Sequence, residues 1–175
     1  MLVSRLLATA LILAAGGAAA EDSFDIDITG VGLSRDAHCD DGQSIRVSGA
    51  DNRIEITGRC KVVLVDLADN NVKLERADRL QVFGSKQEVS VREAVGALEV
   101  HGADHSVDTS IAGEGAEIQV SGGKNRLSVT LQAKATLAVT GADHDVTYRL
   151  APGAPKPGLQ VSGLKNRVQE DRKPK

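Results

Sequence analysis

Four histidines, His38, His101, His105 and His144, are the residues of this chain best placed by type to do chemistry near neutral pH. His38 lies in "DAHCDD", beside Asp36, Cys39, Asp40 and Asp41. That set would hold a metal if the cysteine were free. Nucleophile and cofactor motifs are missing: there is no G-x-S-x-G, no H-E-x-x-H and no glycine-rich phosphate loop leading into a helix. The calcium-binding nonapeptide is missing too. Sugar-active sites want aromatic platforms and paired carboxylates. After residue 20 the aromatic residues are Phe24, Phe83 and Tyr148, and the outward acids do not cluster. The residue types lean away from an enzyme, and no cofactor or metal is expected.

His105 and His144 stand at equivalent places in a repeat, which says more about them than their own chemistry does. "VSGADNRIEI" from Val47 returns as "VDLADNNVKL" from Val65, "VFGSKQEVSV" from Val82, "VHGADHSVDT" from Val100, "VSGGKNRLSV" from Val120, "VTGADHDVTY" from Val139 and "VSGLKNRV" from Val161. Successive starts are 18, 17, 18, 20, 19 and 22 residues apart, with the variation confined to the connections. Each copy reads as strand, corner, strand, with an alternation of period two. The inward phase begins Ile45, Val47, Ile54, Ile56 and continues in every copy to Leu159, Val161 and Val168. Among its members only Thr109 and Tyr148 are not Val, Leu or Ile.

The corner decides the packing. Glycine stands at 49, 84, 102, 122, 141 and 163, with Leu67 as the exception. A glycine at a fixed place implies a backbone turn with positive φ. Three residues later comes Asn52, Asn70, Gln87, His105, Asn125, His144 or Asn166, each preceded by Asp or Lys. Stacked in parallel and in register, equivalent residues lie about 4.8 Å apart. The amides then form a hydrogen-bonded ladder, and changes of sign relieve repulsion in the charged column. His105 and His144 fall two rungs apart, about 9–10 Å, too far to share one zinc. They read as corner hydrogen-bonders. The fold expected is a single-domain, all-β solenoid, parallel β-helix-like, of about seven rungs over residues 45–169. An antiparallel meander, barrel or sandwich is the alternative.

The flanks fit this organisation. All four prolines lie outside the copies, three of them in "APGAPKPG". Residues 21–44 read as an N-terminal cap, with Phe24, Ile26 and Ile28 of "FDIDIT" facing in. Cys39 then sits about one rung below Cys60. A disulfide between them would stabilise by about 3 kcal/mol in the chain-entropy model. Residues 170–175 read as a charged tail that discourages edge pairing.

The pattern of Cys39, repeated V-x-G-x-x-N-x-V elements (Gly49–Asn52, Gly122–Asn125, Gly163–Asn166) and Cys60 resembles the domain-of-unknown-function 3060 family of exported bacterial proteins. The resemblance runs over roughly residues 39–169 and departs in copies two, three, four and six. It implies export and fold, and no activity.

Residues 1–20, with Arg5, an aliphatic run and Ala18-x-Ala20, read as a signal peptide cleaved after Ala20. The product would be periplasmic or secreted, with no transmembrane segment. Removing Arg5 leaves 20 basic residues of the original 21 against 24 acidic ones, a net charge of −4. That argues against a nucleic-acid partner. The expected role is a binding or interaction module for an unknown protein or envelope polymer, with a passive spacer as the alternative. The first strand of each copy carries the less charged outer face, which is the cheaper one to bury. Leu64, Phe83 and His101 are its candidate anchor.

Overall fold

The computed structural model describes residues 23–171. The expected signal peptide and the last four residues of the expected tail lie outside them. The described residues form a β-solenoid of eight rungs, in one thirteen-stranded sheet whose pairings are all parallel. The antiparallel alternatives are thereby excluded.

Rung one is β1 (Ile26–Val31) and β2 (Ser34–Cys39). β3 (Ser44–Ala50) follows, then three long strands: β4 (Arg53–Ala68), β5 (Asn71–Ser85) and β6 (Glu88–Ala103). Each long strand bends from the second side of one rung into the first side of the next. The later rungs are split by looser connections into β7 (Ser106–Ile111), β8 (Ala116–Gly123), β9 (Arg126–Leu131), β10 (Ala135–Ala142), β11 (Asp145–Leu150), β12 (Gly158–Leu164) and β13 (Arg167–Glu170). The proline-rich segment is the connection before β12.

The register is the one the repeat predicts. Val47, Val65, Val82, Val100, Val120, Val139 and Val161 stack in one column. The expected cap continues the same ladder as a further rung, with Ile26 beside Ile45, Ile28 beside Val47 and Gly30 beside Gly49. Ile28 is buried and Ile26 half-buried. Phe24, expected to face in, instead lines an outer groove with Arg46, Leu64 and Phe83.

The inward phase is a buried wall except at four positions. Leu159 and Val161 are about half exposed and Val168 is part-buried, because among the described residues β12 and β13 are paired on one edge only. Val91 is part-buried where the register shifts between Ser90 and Val95. The connections, read as mere links in the sequence, form a third inner wall. Cys60, Ala77, Val95, Ile111 and Leu131 stack on one another, and all are buried. Cys39 and Cys60 are joined as a disulfide with Cα atoms 5.2 Å apart, linking rung one to the third wall of rung two.

The corner glycines have positive φ, and at Gly102 the value is 124°. A methyl group there would sit 2.0 Å from the carbonyl oxygen of Gly84 in the adjacent rung. Gly115 also has positive φ, 68°, but nothing lies within 4 Å of where its methyl would be. The pair separates steric approach from backbone strain. Gly102→Ala should cost about 3 kcal/mol or more, and Gly115→Ala about 1 kcal/mol. Chemical denaturation of both variants checks this, and equal losses would mean that the rungs do not touch at the corner.

Candidate functional site

The corner column is built by a different bond from the expected amide-to-amide ladder. Each side chain accepts from the backbone N–H of the column residue one rung earlier. Asn52 N–H donates to Asn70 Oδ1 (3.2 Å), Asn70 N–H to Gln87 Oε1 (3.0 Å) and Gln87 N–H to His105 Nδ1 (3.1 Å). His105 N–H donates to Asn125 Oδ1 (3.0 Å), Asn125 N–H to His144 Nδ1 (3.3 Å) and His144 N–H to Asn166 Oδ1 (3.1 Å). At the foot, Leu33 N–H donates to Asn52 Oδ1 at 2.9 Å. The amide nitrogens point the other way. Asn125 Nδ2 donates to Ser121 O (3.1 Å) in its own rung and to Gly102 O (3.2 Å) in the preceding one. The column from Asn52 to His144 is almost wholly buried.

This geometry explains which residues alternate there. The position needs one acceptor and one donor on a short planar group, which Asn, Gln and neutral His all provide. The residue before it is left-handed in every copy, with φ from 52° to 60°, including Lys86, Lys124 and Lys165. The charged column therefore also bears a backbone demand that lysine rarely meets. Its expected sign pairing appears once as a contact, Lys86 to Asp69 at 3.8 Å.

His105 is held as the neutral ring with its proton on Nε2. A peptide N–H can only donate to Nδ1, and Nε2 faces the His101 carbonyl at 3.1 Å. Burial pushes the imidazole below its ordinary 6.5, outweighing the carbonyls of His101 and Gly84 and the Asp104 carboxylate, which favour the cation. His144 makes the same pair of contacts, to Asn125 N–H and to Thr140 O. Both rings are engaged by peptide groups, with Asn125 between them.

The outer first-strand face carries a second connected set. Leu64, Phe83 and His101 are each half-buried there. Phe83 and His101 are neighbours in register, with ring centroids 5.3 Å apart. Leu64 pairs with Gln81, so it lies one column away from Phe83 as well as one rung. Gln81 Nε2 donates to Glu99 Oε2 at 2.9 Å, and Glu99 Oε1 meets His101 Nε2 at 2.8 Å. His101 Nδ1 contacts Ser121 Oγ. The Gln81 amide, aided by His101, holds the Glu99 carboxyl below the usual carboxylate range despite partial desolvation.

The serine–histidine–glutamate contact was not read from the sequence. It joins residues of adjacent copies, and becomes visible only when His101 and Ser121 are aligned as one column with Glu99 two residues before His101. The set resembles an acyl-transfer triad in its members. It differs in surroundings, because β8 is hydrogen-bonded along both edges, to β6 and β10. Its backbone N–H groups are spent in the ladder rather than aimed at a developing oxyanion.

Around His38, the sulfur of Cys39 is in the disulfide. The set with Asp36, Asp40 and Asp41 thereby loses its soft ligand. His38 instead meets Thr57 Oγ1 at 3.0 Å and Asp40 at 3.8 Å. Among the described residues no helix is long and apolar enough to cross a membrane.

Fold and corner define a parallel β-solenoid closed by polar side chains bonded to the peptide groups of neighbouring rungs. The model of a family described as Protein of unknown function (DUF3060) matches residues 47–103, from β3 through β6. The family resemblance carried by the repeats therefore holds over that stretch, which includes Cys60 and the first three copies. No curated protein and no solved structure matches the chain.

Two outcomes follow for the column. Asn125→Leu leaves His105 N–H, Gly102 O and Ser121 O unpaired and should cost about 3 kcal/mol in denaturant unfolding. An unchanged midpoint would mean that the column is solvated. The second concerns pH. Because the folded state favours neutral His105, its contribution is complete above 6.5. It is lost as pH falls below that value, since the unfolded chain protonates first. His105→Asn keeps the acceptor and donor without the titration. Its melting temperature should fall less than that of the wild type between about pH 7 and pH 5. Equal pH slopes would place the pH sensitivity elsewhere.

Proposed function

We propose that this protein is an exported, non-catalytic binding module of the bacterial envelope, which holds a partner protein or envelope polymer on its first-strand face. The observation that carries this reading is the state of that face. Gln81, Glu99, His101 and Ser121 already satisfy one another, and the ring of Phe83 lies against that of His101. A partner covering them strips water from groups that retain their hydrogen bonds, which lowers the desolvation cost. Phe24, Asp27, Arg46, Leu64, Gln81 and Phe83 line a shallow groove beside the network, giving the partner an apolar seat with a polar rim. The second-strand face is less favourable. It carries Lys73, Glu75 and the exposed Arg92–Glu55 ion pair.

A passive spacer is the second reading. It is supported by the parallel stack of eight rungs, each paired to its neighbours, which makes the body stiff whatever its faces do. The experiment is a pull-down from envelope extract with protein purified after export, its N-terminus determined by mass spectrometry. A start at Glu21 and a saturable partner support the module. An intact Met1 counts against export, and the lack of any specific partner supports the spacer. With a partner in hand, Phe83→Ser should weaken binding by about tenfold or more, while Lys73→Ser should leave it near wild type. The reverse pattern would place binding on the second-strand face. Turnover of activated esters that disappears in Ser121→Ala would sink the non-catalytic reading.

A further inference from the structure

The two ends of the stack differ from the rungs between them, and they differ in complementary ways. β12 is exposed along its whole length, and Leu159 and Val161 are 47% and 49% exposed although they continue the columns of buried Leu137 and Val139. One corner column runs Val31, Ala50, Ala68, Ser85, Ala103, Gly123, Ala142, Leu164. Its interior members are all small. Its two end members are large, apolar and 72% and 73% exposed.

Two inward columns change from apolar to charged only at an end. Arg35 continues the column of Ile54, Val72, Val89 and Val146 at the bottom. Glu170 continues the neighbouring column of Ile56, Leu74, Val129 and Tyr148 at the top. The wider charge follows the same division. Among the described residues, 23–41 carry five acidic residues and one basic, a net −4, whereas 152–171 carry three basic and two acidic, a net +1.

We propose that the protein assembles head to tail with further copies of itself, the first rung of one copy docking as a ninth rung on the last rung of another. This goes beyond the binding face and does not depend on it. In the shared register the second copy's Ile26 falls over Leu159, Ile28 over Val161, Gly30 over Gly163 and Val31 over Leu164. Arg35 arrives one column from Glu170, a neighbouring position on the same inward side, so opposite charges meet in the seam. Top-to-top or bottom-to-bottom pairing would set Glu170 against Glu170, or Arg35 against Arg35, and like end charge against like. The contact is therefore heterologous, and such contacts propagate into rods when the rotation does not close.

The junction is weaker than an internal rung for an identifiable reason. The corner position of rung one is Leu33, which has no acceptor for the Asn166 N–H, whereas Asn52 to Asn166 each provide one to the preceding rung. Association is accordingly reversible and concentration-dependent.

Sedimentation velocity on the full chain, expressed and purified after export, tests the assembly. At low salt the expected result is a concentration-dependent series of elongated species, shortened by added salt that screens the end charges. Arg35→Glu and Glu170→Arg should each weaken self-association by about tenfold or more. Mixing the two variants should restore it, because each then presents the end that the other lacks. Circular dichroism should show both variants folded. Leu164→Lys, at an exposed site, gives a second probe should either charge variant fail to fold, and it should also weaken assembly. A monomer at every concentration overturns the proposal. So does association unaffected by these changes, or loss that mixing does not restore.

Discussion

The structure rests on one requirement: a peptide N–H at each corner must find an acceptor one rung on, at a position buried from solvent. Along the flat sides the parallel ladder meets this demand automatically. At the corner the residues on either side still bond backbone to backbone, as Asp104 N–H does to Gly123 O and Ser106 N–H to Gln87 O, but the N–H between them is left over and a side chain must take it. That side chain has to be short and planar, with an acceptor at one edge and a donor at the other. The glycine three residues earlier lets the backbone carbonyls come close enough for the donor edge to reach two of them, as Asn125 does with Gly102 O and Ser121 O. Glycine and amide are thus a single device divided between two positions.

Leu67 shows the device under strain. It stands where the other copies have glycine, at φ 78°, and the β4–β5 pairing omits both Asp66 and Leu67. Asp66 Oδ1 accepts from Leu67 N–H at 2.7 Å in place of a ladder partner. The neighbouring copies absorb the defect because Asn70 still donates to Gly49 O and Asp66 O. One imperfect corner is tolerated since each rung is held by its two neighbours, and stability in such arrays is roughly a sum of nearest-neighbour terms.

How much of this was legible in the sequence depends on whether the signal repeats at fixed spacing. The valine columns, the glycines and the polar corner residues do, and they sufficed for the parallel stack, the register and the Cys39–Cys60 pairing. The third wall does not, because bulges vary its offset. Cys60 follows Ile54 by six residues, Ala77 follows Val72 by five and Ile111 follows Val107 by four. A wall with a drifting period looks like a linker. The direction of the corner bond was hidden for another reason. An asparagine column is compatible with side chains bonded to each other or to peptides, and the glutamine and histidine substitutions favour peptides only once the donor edge has been placed. The exposure of Leu159 and Val161 cannot be read from their own copy, which is as apolar as the rest. It follows from the pairing of β12 on one edge only among the described residues.

The same economy of backbone groups bears on where function can sit. In a stack paired on both edges of nearly every strand, peptide N–H groups are consumed by the fold, so oxyanion holes and anion nests built from backbone have little to draw on. What remains for recognition is the outward side chain, arranged in columns at rung spacing. Columns of this kind bond to themselves, as Gln81 and Glu99 do across one rung boundary and His101 and Ser121 across the next. A face that has satisfied itself offers shape and apolar contact more than unpaired polarity. Free backbone edges survive at the first and last rungs. There the chain departs from its own repeat, putting Leu33 where other copies have an amide or imidazole, Arg35 where they have an aliphatic residue, Leu164 where they have alanine, serine or glycine, and Glu170 where they have an uncharged residue. Among the described residues, the rungs with one unpaired edge are also those where apolar columns turn charged and a small-residue column turns large, and this is where the fold keeps recognition capacity beyond its outward side-chain columns.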